Sequence, residues 1–195
     1  MINIFEQGVF DRYSNVYLDE ARGNVLKHAQ YGMKPATTVF VSHSHEDLSD
    51  LKGLLGFLER EYRVRVYIDS QDPTMPKVTT PDTALNIKKR IKQCDKFILL
   101  ATNKAIESKW CNWELGYGDA DKYKKHIALF PLNAKGAFAS TYKGSEYMDI
   151  YPHIAFYDGS EKYKGGSPIS RGYYVCSHEK DRTYITPLSE WFNEK

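Results

Sequence analysis

Long apolar runs and a large net charge are both missing from this 195-residue sequence. Its longest apolar stretches, Phe97 to Ala101 and Ala128 to Leu132, are far shorter than the roughly 20 residues that a membrane-spanning helix requires. The 27 basic and 25 acidic side chains leave a net charge of +2, too small for the positive field that sequence-independent nucleic-acid binding depends on. We therefore expect neither a membrane nor a nucleic acid as a partner.

Cysteine is also scarce. The three cysteines, Cys94, Cys111 and Cys176, form no C-x-x-C pair, and their odd number argues against a disulfide framework. The N-terminal residues carry early acidic side chains and lack the basic-then-apolar order of a secretory signal. These absences predict a folded cytoplasmic protein whose thiols stay reduced and buried.

From Thr37 onwards, short apolar or β-branched segments alternate with helical patterns. We predict strands at Thr38 to Ser42, Val64 to Ile68, Lys96 to Ala101 and His126 to Leu132. Continuous apolar strands separated by helices are typical of a parallel sheet that is covered on both faces. The sequence therefore predicts an α/β fold with a central, mostly parallel sheet.

Apolar residues recur at helical spacing between these strands. One such set follows the first strand and comprises Leu48, Leu51, Leu55 and Leu58. Another follows the second strand and comprises Ala84, Ile87, Ile91 and Cys94. Asp82 is a candidate N-cap for the second helix, and Ser108 for the third. The basic run at 88–92 lies off the apolar face of the second helix, where a solvated surface is expected and a phosphate site is the alternative.

Tyrosine and glycine are concentrated in the last third of the chain. Ile154 to Tyr157 and Tyr173 to Cys176 predict further strands, and apolar residues after Pro187 predict a closing helix. The tyrosine-rich stretch 142–174 is long enough to form a lid that keeps water from a reaction centre.

We interpret residues 36–135 as the core of one domain and residues 136–195 as a β-containing C-terminal extension that completes it. Residues 1–35 form an N-terminal extension whose role the sequence does not indicate. A helix is predicted within it from the spacing of Leu18, Ala21, Val25 and Ala29.

Candidate chemistry lies where the strands end, because ligands of open parallel sheets bind beyond the carboxyl ends of the strands. The sequence places Ser42 and His43 there after the first strand and Asp69 after the second. On the third helix, Glu114 follows Trp110 by four residues and shares its face. A carboxylate fixed among aromatic rings can stabilise the positive charge that develops when a glycosidic bond breaks. The alternative is that the tryptophans are core and that Glu114 is an exposed helix residue.

A metal site at His43 and His45 is a weaker interpretation. Two imidazoles two residues apart on an extended chain point in opposite directions, and no nearby cluster supplies a third ligand. We therefore expect no metal ion and no bound cofactor.

Three segments together resemble bacterial TIR domains. They are VFVSHSHED at 39–47, YID at 67–69 and WCNWEL at 110–115, and they occur in the order that the family has. The resemblance covers about residues 37 to 132 and implies a flavodoxin-like sheet. It also implies cleavage of NAD+, as substrate and not cofactor, to nicotinamide and linear or cyclic ADP-ribose.

Position by position, the resemblance implies that Glu114 is the catalytic glutamate. The residues that it places around the nucleotide are Phe40, Ser42, His43, Asp69, Lys109 and Trp110. Among them, Asp69 opens a loop that in the family joins neighbouring subunits and completes the site, and Lys109 is a candidate for phosphate contact.

The single-domain format with a tyrosine-rich tail is similar to the TIR proteins of Thoeris antiphage systems. That similarity implies self-association and a nucleotide signal that acts on a separate effector protein. Two alternatives stay open at this point: a non-catalytic TIR scaffold, and a nucleoside deoxyribosyltransferase, which also places a glutamate near an anomeric carbon.

Overall fold

The computed structural model describes residues 4–14, 37–68 and 80–195. The helix predicted between Leu18 and Ala29 and the loop that Asp69 opens lie outside the described residues.

Within the described ranges, eight strands form a single sheet. They are β1 Phe5–Glu6, β2 Thr38–Ser42, β3 Arg65–Tyr67, β4 Lys96–Ala101, β5 Ile127–Asn133, β6 His153–Tyr157, β7 Gly172–Glu179 and β8 Arg182–Pro187. Their spatial order is β3-β2-β4-β5-β6-β7-β8, and β1 pairs with the end of β5. The pairings from β3 to β6 are parallel, and β7 and β8 continue the sheet antiparallel. Counted from β2, the first five strands have the flavodoxin-like order, which confirms the predicted fold class.

Helices cover both faces of the sheet. They are α1 Leu48–Tyr62, α2 Pro81–Gln93, α3 Asn103–Glu107, α4 Lys109–Lys122, α5 Ser145–Ile150 and α6 Leu188–Asn193. The predicted cap of α4 is confirmed, because Ser108 Oγ accepts a hydrogen bond from the backbone N–H of Cys111. The predicted cap of α2 is wrong: Thr80 caps that helix through the N–H of Thr83, and Pro81 occupies its first position.

The two faces of the sheet bury two separate apolar clusters, because successive side chains of a strand point to opposite sides. Val39 and Val41 of β2 pack beneath α1 and α6, together with Ile98 and Leu100 of β4. Phe40 lies in the other cluster, beneath α2 and α4. Burial on both faces explains why β2, β4 and β5 are almost continuously apolar in sequence.

The tyrosine-rich segment is packed into the domain. The Tyr142 hydroxyl donates to the carbonyl of Ala101 at 2.8 Å, and the Tyr147 hydroxyl donates to Asn112 Oδ1 at 2.6 Å. Further along, residues 153–157 form β6 of the sheet. The interpretation of 142–174 as a lid is therefore wrong for these residues, because the two hydroxyls bond to β4 and α4 and because β6 pairs with β5 and β7. The sequence analysis also missed β8 and the short helices α3 and α5.

Residues 4–14 pack across α1, which gives part of the N-terminal extension a structural role. The carbonyl oxygen of Phe10 lies 2.7 Å from where a side chain at Gly53 would begin, and that of Tyr13 lies still closer to the equivalent point at Gly56. The Phe10 ring packs against Phe57 with a centroid distance of 4.5 Å. Two glycines one turn apart on α1 therefore allow this close approach.

We expect Gly56→Ala to destabilise the protein by about 1–3 kcal/mol, because the new methyl group would overlap the backbone of Tyr13. Gly116→Ala is the matched control: nothing lies within 4 Å of that position, so the same change in α4 should be neutral or stabilising. Urea denaturation measures both. Equal stability changes in the two variants would contradict the packing described here.

Lys96, at the start of β4, is a buried cation. Its Nζ donates to His126 Nδ1 at 2.9 Å and lies 4.8 Å from the centre of the Trp191 ring of α6. Burial lowers the pKa of Lys96 to about 8. The ordinary pKa of a lysine is 10.5. Between about pH 8 and pH 10.5, the unfolded chain therefore keeps the Lys96 proton, whereas the native protein has released it. The free energy of unfolding should therefore rise with pH across this interval.

We expect Lys96→Met to lose this pH dependence. Between pH 7.5 and 10, the stability of the wild type should rise relative to the variant, by about 3 kcal/mol at most. Lys92→Met, an exposed change on α2, should follow the wild-type curve. The measurement is urea denaturation at each pH, and parallel curves for Lys96→Met and the wild type would contradict the assignment.

Candidate functional site

The carboxyl ends of β2 and β4 form the point at which the strand order reverses. From β2 the chain leads to β3 at one edge, and the following strand β4 pairs with the other side of β2. Ligands of open α/β sheets bind in the crevice at such a switch point. Two buried hydrogen bonds lie here, and each joins a different carboxylate to a different hydroxyl.

The first of these bonds joins β2 to α4. Ser42, the last residue of β2, donates its hydroxyl proton to Glu114 Oε2 at 2.5 Å. Ser42 is 1% exposed and Glu114 is 2% exposed. The alternative interpretation of Glu114 as an exposed helix residue is therefore wrong. A buried carboxylate in this position exerts a stronger field on its surroundings than one in water.

The second bond joins the turn after β2 to the end of β4. Thr102 donates its hydroxyl proton to Asp47 Oδ2 at 2.5 Å, and both residues are buried. The same Thr102 oxygen accepts from the N–H of Ala105 and caps α3. Burial raises the pKa of Asp47. The sequence analysis assigned neither residue a role, because only the fold brings the two strand ends together.

An aromatic row runs along α4 beside Glu114. The rings of Trp110 and Trp113 stack at 4.9 Å, and those of Trp113 and Tyr117 lie 6.2 Å apart and nearly parallel. All three are half-buried. On the helical wheel, Glu114 lies between this row and the buried face of α4. The row borders the carboxylate, and the rings contact each other.

The other predicted site residues occupy different environments. His43 is buried directly after β2, with its ring 6.0 Å from that of His45. Phe40 is fully buried and stacks between Tyr67 and Phe97, so the structure gives it a packing role. Lys109 is exposed at the first position of α4. Asp69 lies outside the described residues.

An open cleft of about 330 Å³ lies on another face of α4. Its lining residues are Asn112, Leu115, Gly116, Glu146, Tyr147, Ile150 and Tyr151. Glu114 is not among them, so this cleft and the switch point are separate places on the molecule.

Two further observations limit the chemistry of the described part of the chain. Nowhere in residues 4–14, 37–68 and 80–195 do three or more His, Cys, Asp or Glu side chains come together as metal ligands. In the same ranges, every helix is too short or too polar to cross a membrane.

Comparison with known proteins shows which family the chain resembles. Residues 39–162 match the family described as the TIR domain. A Bacillus cereus (strain MSX-D12) protein named "Probable 3′ cyclic ADP-D-ribose synthase ThsB′" is 30% identical over 141 residues, which are 70% of this chain and 71% of that protein.

Two more distant similarities were found. A Cytobacillus dafuensis protein named as a candidate cyclic ADP-D-ribose synthase, TIR2, is 29% identical over 87 residues, or 43% of this chain and 23% of that protein. A solved structure, the Clostridium botulinum CMP N-glycosidase BcmB, is 22% identical with a TM-score of 0.38. That similarity covers 62% of this chain and 88% of the glycosidase.

We expect Thr102→Val to lower the free energy of unfolding by about 2 kcal/mol at neutral pH, because it leaves the buried Asp47 carboxylate without its donor and removes the cap of α3. The loss should shrink at acidic pH, where protonation removes the buried charge. Thr102→Ser, which keeps the hydroxyl, is the control. The measurement is urea denaturation at several pH values. Equal free energies of unfolding in the two variants would contradict this assignment.

Proposed function

The chain belongs to the TIR domain family, and we propose that it cleaves the bond between nicotinamide and ribose in NAD+ and closes the remaining ADP-ribose into a cyclic isomer. The observation that carries this proposal is the buried Glu114 carboxylate, held by Ser42 at the switch point of the sheet. The names of the Bacillus and Cytobacillus relatives support the same reaction.

The proposed reaction needs little acid catalysis. The C1′–N bond breaks with both electrons passing to the pyridinium nitrogen, so nicotinamide leaves as a neutral molecule without being protonated. Positive charge then develops on the ribosyl carbon, and a fixed carboxylate stabilises it. A hydroxyl of the same molecule attacks C1′ and releases its proton, which gives nicotinamide, a cyclic ADP-ribose and one proton. Attack by water in place of that hydroxyl gives linear ADP-ribose.

Five of the candidate residues receive one role each in this proposal. Glu114 stabilises the ribosyl cation, and Ser42 holds the carboxylate in position. Trp110 borders the substrate beside Glu114, and His43 lines the turn that follows Ser42. Lys109 contacts phosphate from the start of α4.

We also propose the biological setting that the resemblance implied. The protein acts in the cytoplasm as part of a Thoeris-like antiviral system, in which the cyclic nucleotide activates a separate effector protein. Copies of the chain associate to complete the site, with Asp69 opening the loop that joins them. The name of the Bacillus relative supports a Thoeris-like setting.

We expect Glu114→Gln to reduce nicotinamide release from NAD+ by at least about 100-fold, because the change keeps the shape of the side chain and removes its charge. Glu179→Gln, an exposed change at the end of β7, should retain wild-type activity. Nucleotides are identified by mass spectrometry after incubation with NAD+, with and without lysate from phage-infected cells.

The products also discriminate between the alternatives. Exchange of bases between deoxynucleosides, with NAD+ left intact, would indicate a deoxyribosyltransferase. Consumption of no NAD+ by assembled protein, with or without infected lysate, would indicate a scaffold. Near-normal nicotinamide release by correctly folded Glu114→Gln would contradict the role of this residue.

A further inference from the structure

The basic run of α2 is not a uniform solvated surface. Lys89 and Lys92 are exposed, and Arg90 lies over the Tyr67 ring at 5.2 Å. Lys88 is half-buried and points towards α4. Its Nζ lies 5.7 Å from the centre of the Trp113 ring and 5.3 Å from that of Tyr117. The structure therefore separates one lysine from the rest of the run.

The two rings that hold Lys88 belong to the same helix segment as Glu114. Tyr117 lies three residues beyond Glu114 and is its neighbour on the helix surface, and Trp113 stacks against both Trp110 and Tyr117. Contact of an ammonium group with aromatic faces fixes its position, and the aliphatic stem of the lysine covers the rings. Lys88 is thus a cation positioned on the aromatic row that runs along α4 beside Glu114.

The charge of Lys88 has no counter-ion among the described residues. Lys104 pairs with Glu46 at 2.8 Å, and Lys143 pairs with Glu107. Among the described residues, no carboxylate oxygen lies within 4.0 Å of Lys88 Nζ. A cation that is held in place but not neutralised can attract an anionic ligand.

The proposed substrate supplies such an anion. NAD+ carries two negative charges on its pyrophosphate, close to the ribose whose bond is broken. A carboxylate that stabilises the ribosyl cation also repels this pyrophosphate. A site that binds the intact dinucleotide therefore needs a cation near the carboxylate but separate from it.

We propose that Lys88 binds the pyrophosphate of NAD+ and that Trp113 and Tyr117 hold its ammonium group in position. This inference rests on the proposed function and adds a substrate-binding residue to it. It predicts that Lys88 contributes to substrate affinity and not to bond cleavage, because its charge meets the pyrophosphate equally in the ground state and the transition state.

The test compares Lys88→Met, Lys88→Arg and Lys89→Met. Methionine keeps most of the stem over the rings and removes the charge, so the fold should be retained, as circular dichroism and thermal unfolding will show. We expect Lys88→Met to raise KM for NAD+ about tenfold with kcat within about twofold of the wild type. Lys88→Arg should restore most of the affinity, and Lys89→Met, which removes an exposed charge from the same helix, should leave KM unchanged.

Nicotinamide riboside provides a second measurement, because it has the same scissile bond and no phosphate. Lys88→Met should cleave it with the same kcat/KM as the wild type. A KM for NAD+ in Lys88→Met equal to that in Lys89→Met would overturn the proposal. An equal loss of kcat/KM for nicotinamide riboside would also overturn it, since Lys88 would then act on the shape of the site.

Equilibrium binding separates this proposal from the proposed function. Calorimetry compares NAD+ affinity in Glu114→Gln with that in the double variant Glu114→Gln, Lys88→Met, where we expect about a tenfold loss. If the wild type releases no nicotinamide but this loss is found, NAD+ cleavage is wrong and the Lys88 contact stands. Equal affinities, or no binding to either variant, would overturn the Lys88 contact.

Discussion

The hydrogen bond between Ser42 and Glu114 is the contact on which the site depends, because it fixes a charged group at the one place where an open sheet offers a crevice. A buried carboxylate is costly to desolvate, and a short bond from a buried hydroxyl offsets part of that cost. The bond also connects the end of β2 to α4. The position of the carboxylate is thereby determined by the sheet itself and not by a surface loop.

The reversal of strand order between β2 and β4 also determines which residues surround this bond. The end of β4 lies beside the end of β2, so Thr102 can reach Asp47 in the turn that carries His43. Two carboxylates are held by hydroxyls from neighbouring strands, and α4 brings the aromatic row alongside one of them. On the far side of this row, α2 contributes Lys88. The negative group and the stacked rings therefore both come from α4, and the nearby positive group comes from α2.

Several of these features could be predicted from residue patterns. The strands β2, β4 and β5 are continuous apolar runs because both of their faces are buried, and the spacing of Trp110 and Glu114 gives a shared helix face. Other features could not be predicted from the sequence. Phe40 shares the face of β2 that carries Ser42, but its ring is enclosed by Tyr67 and Phe97, which lie opposite it on the two neighbouring strands. The tyrosine-rich segment was interpreted as a lid, yet the hydroxyls of Tyr142 and Tyr147 reach β4 and α4.

The sequence by itself determined the class of fold, the helix that carries Glu114 and the family to which its motifs belong, because these follow from local periodicity and from short contiguous motifs. Only the tertiary structure decided which polar groups meet: Ser42 with Glu114, Thr102 with Asp47, and Lys88 with Trp113 and Tyr117. Such pairs join residues that are 25 to 72 positions apart in the chain. Their meeting depends on strand order and helix packing, and neither is encoded in the spacing of any one segment.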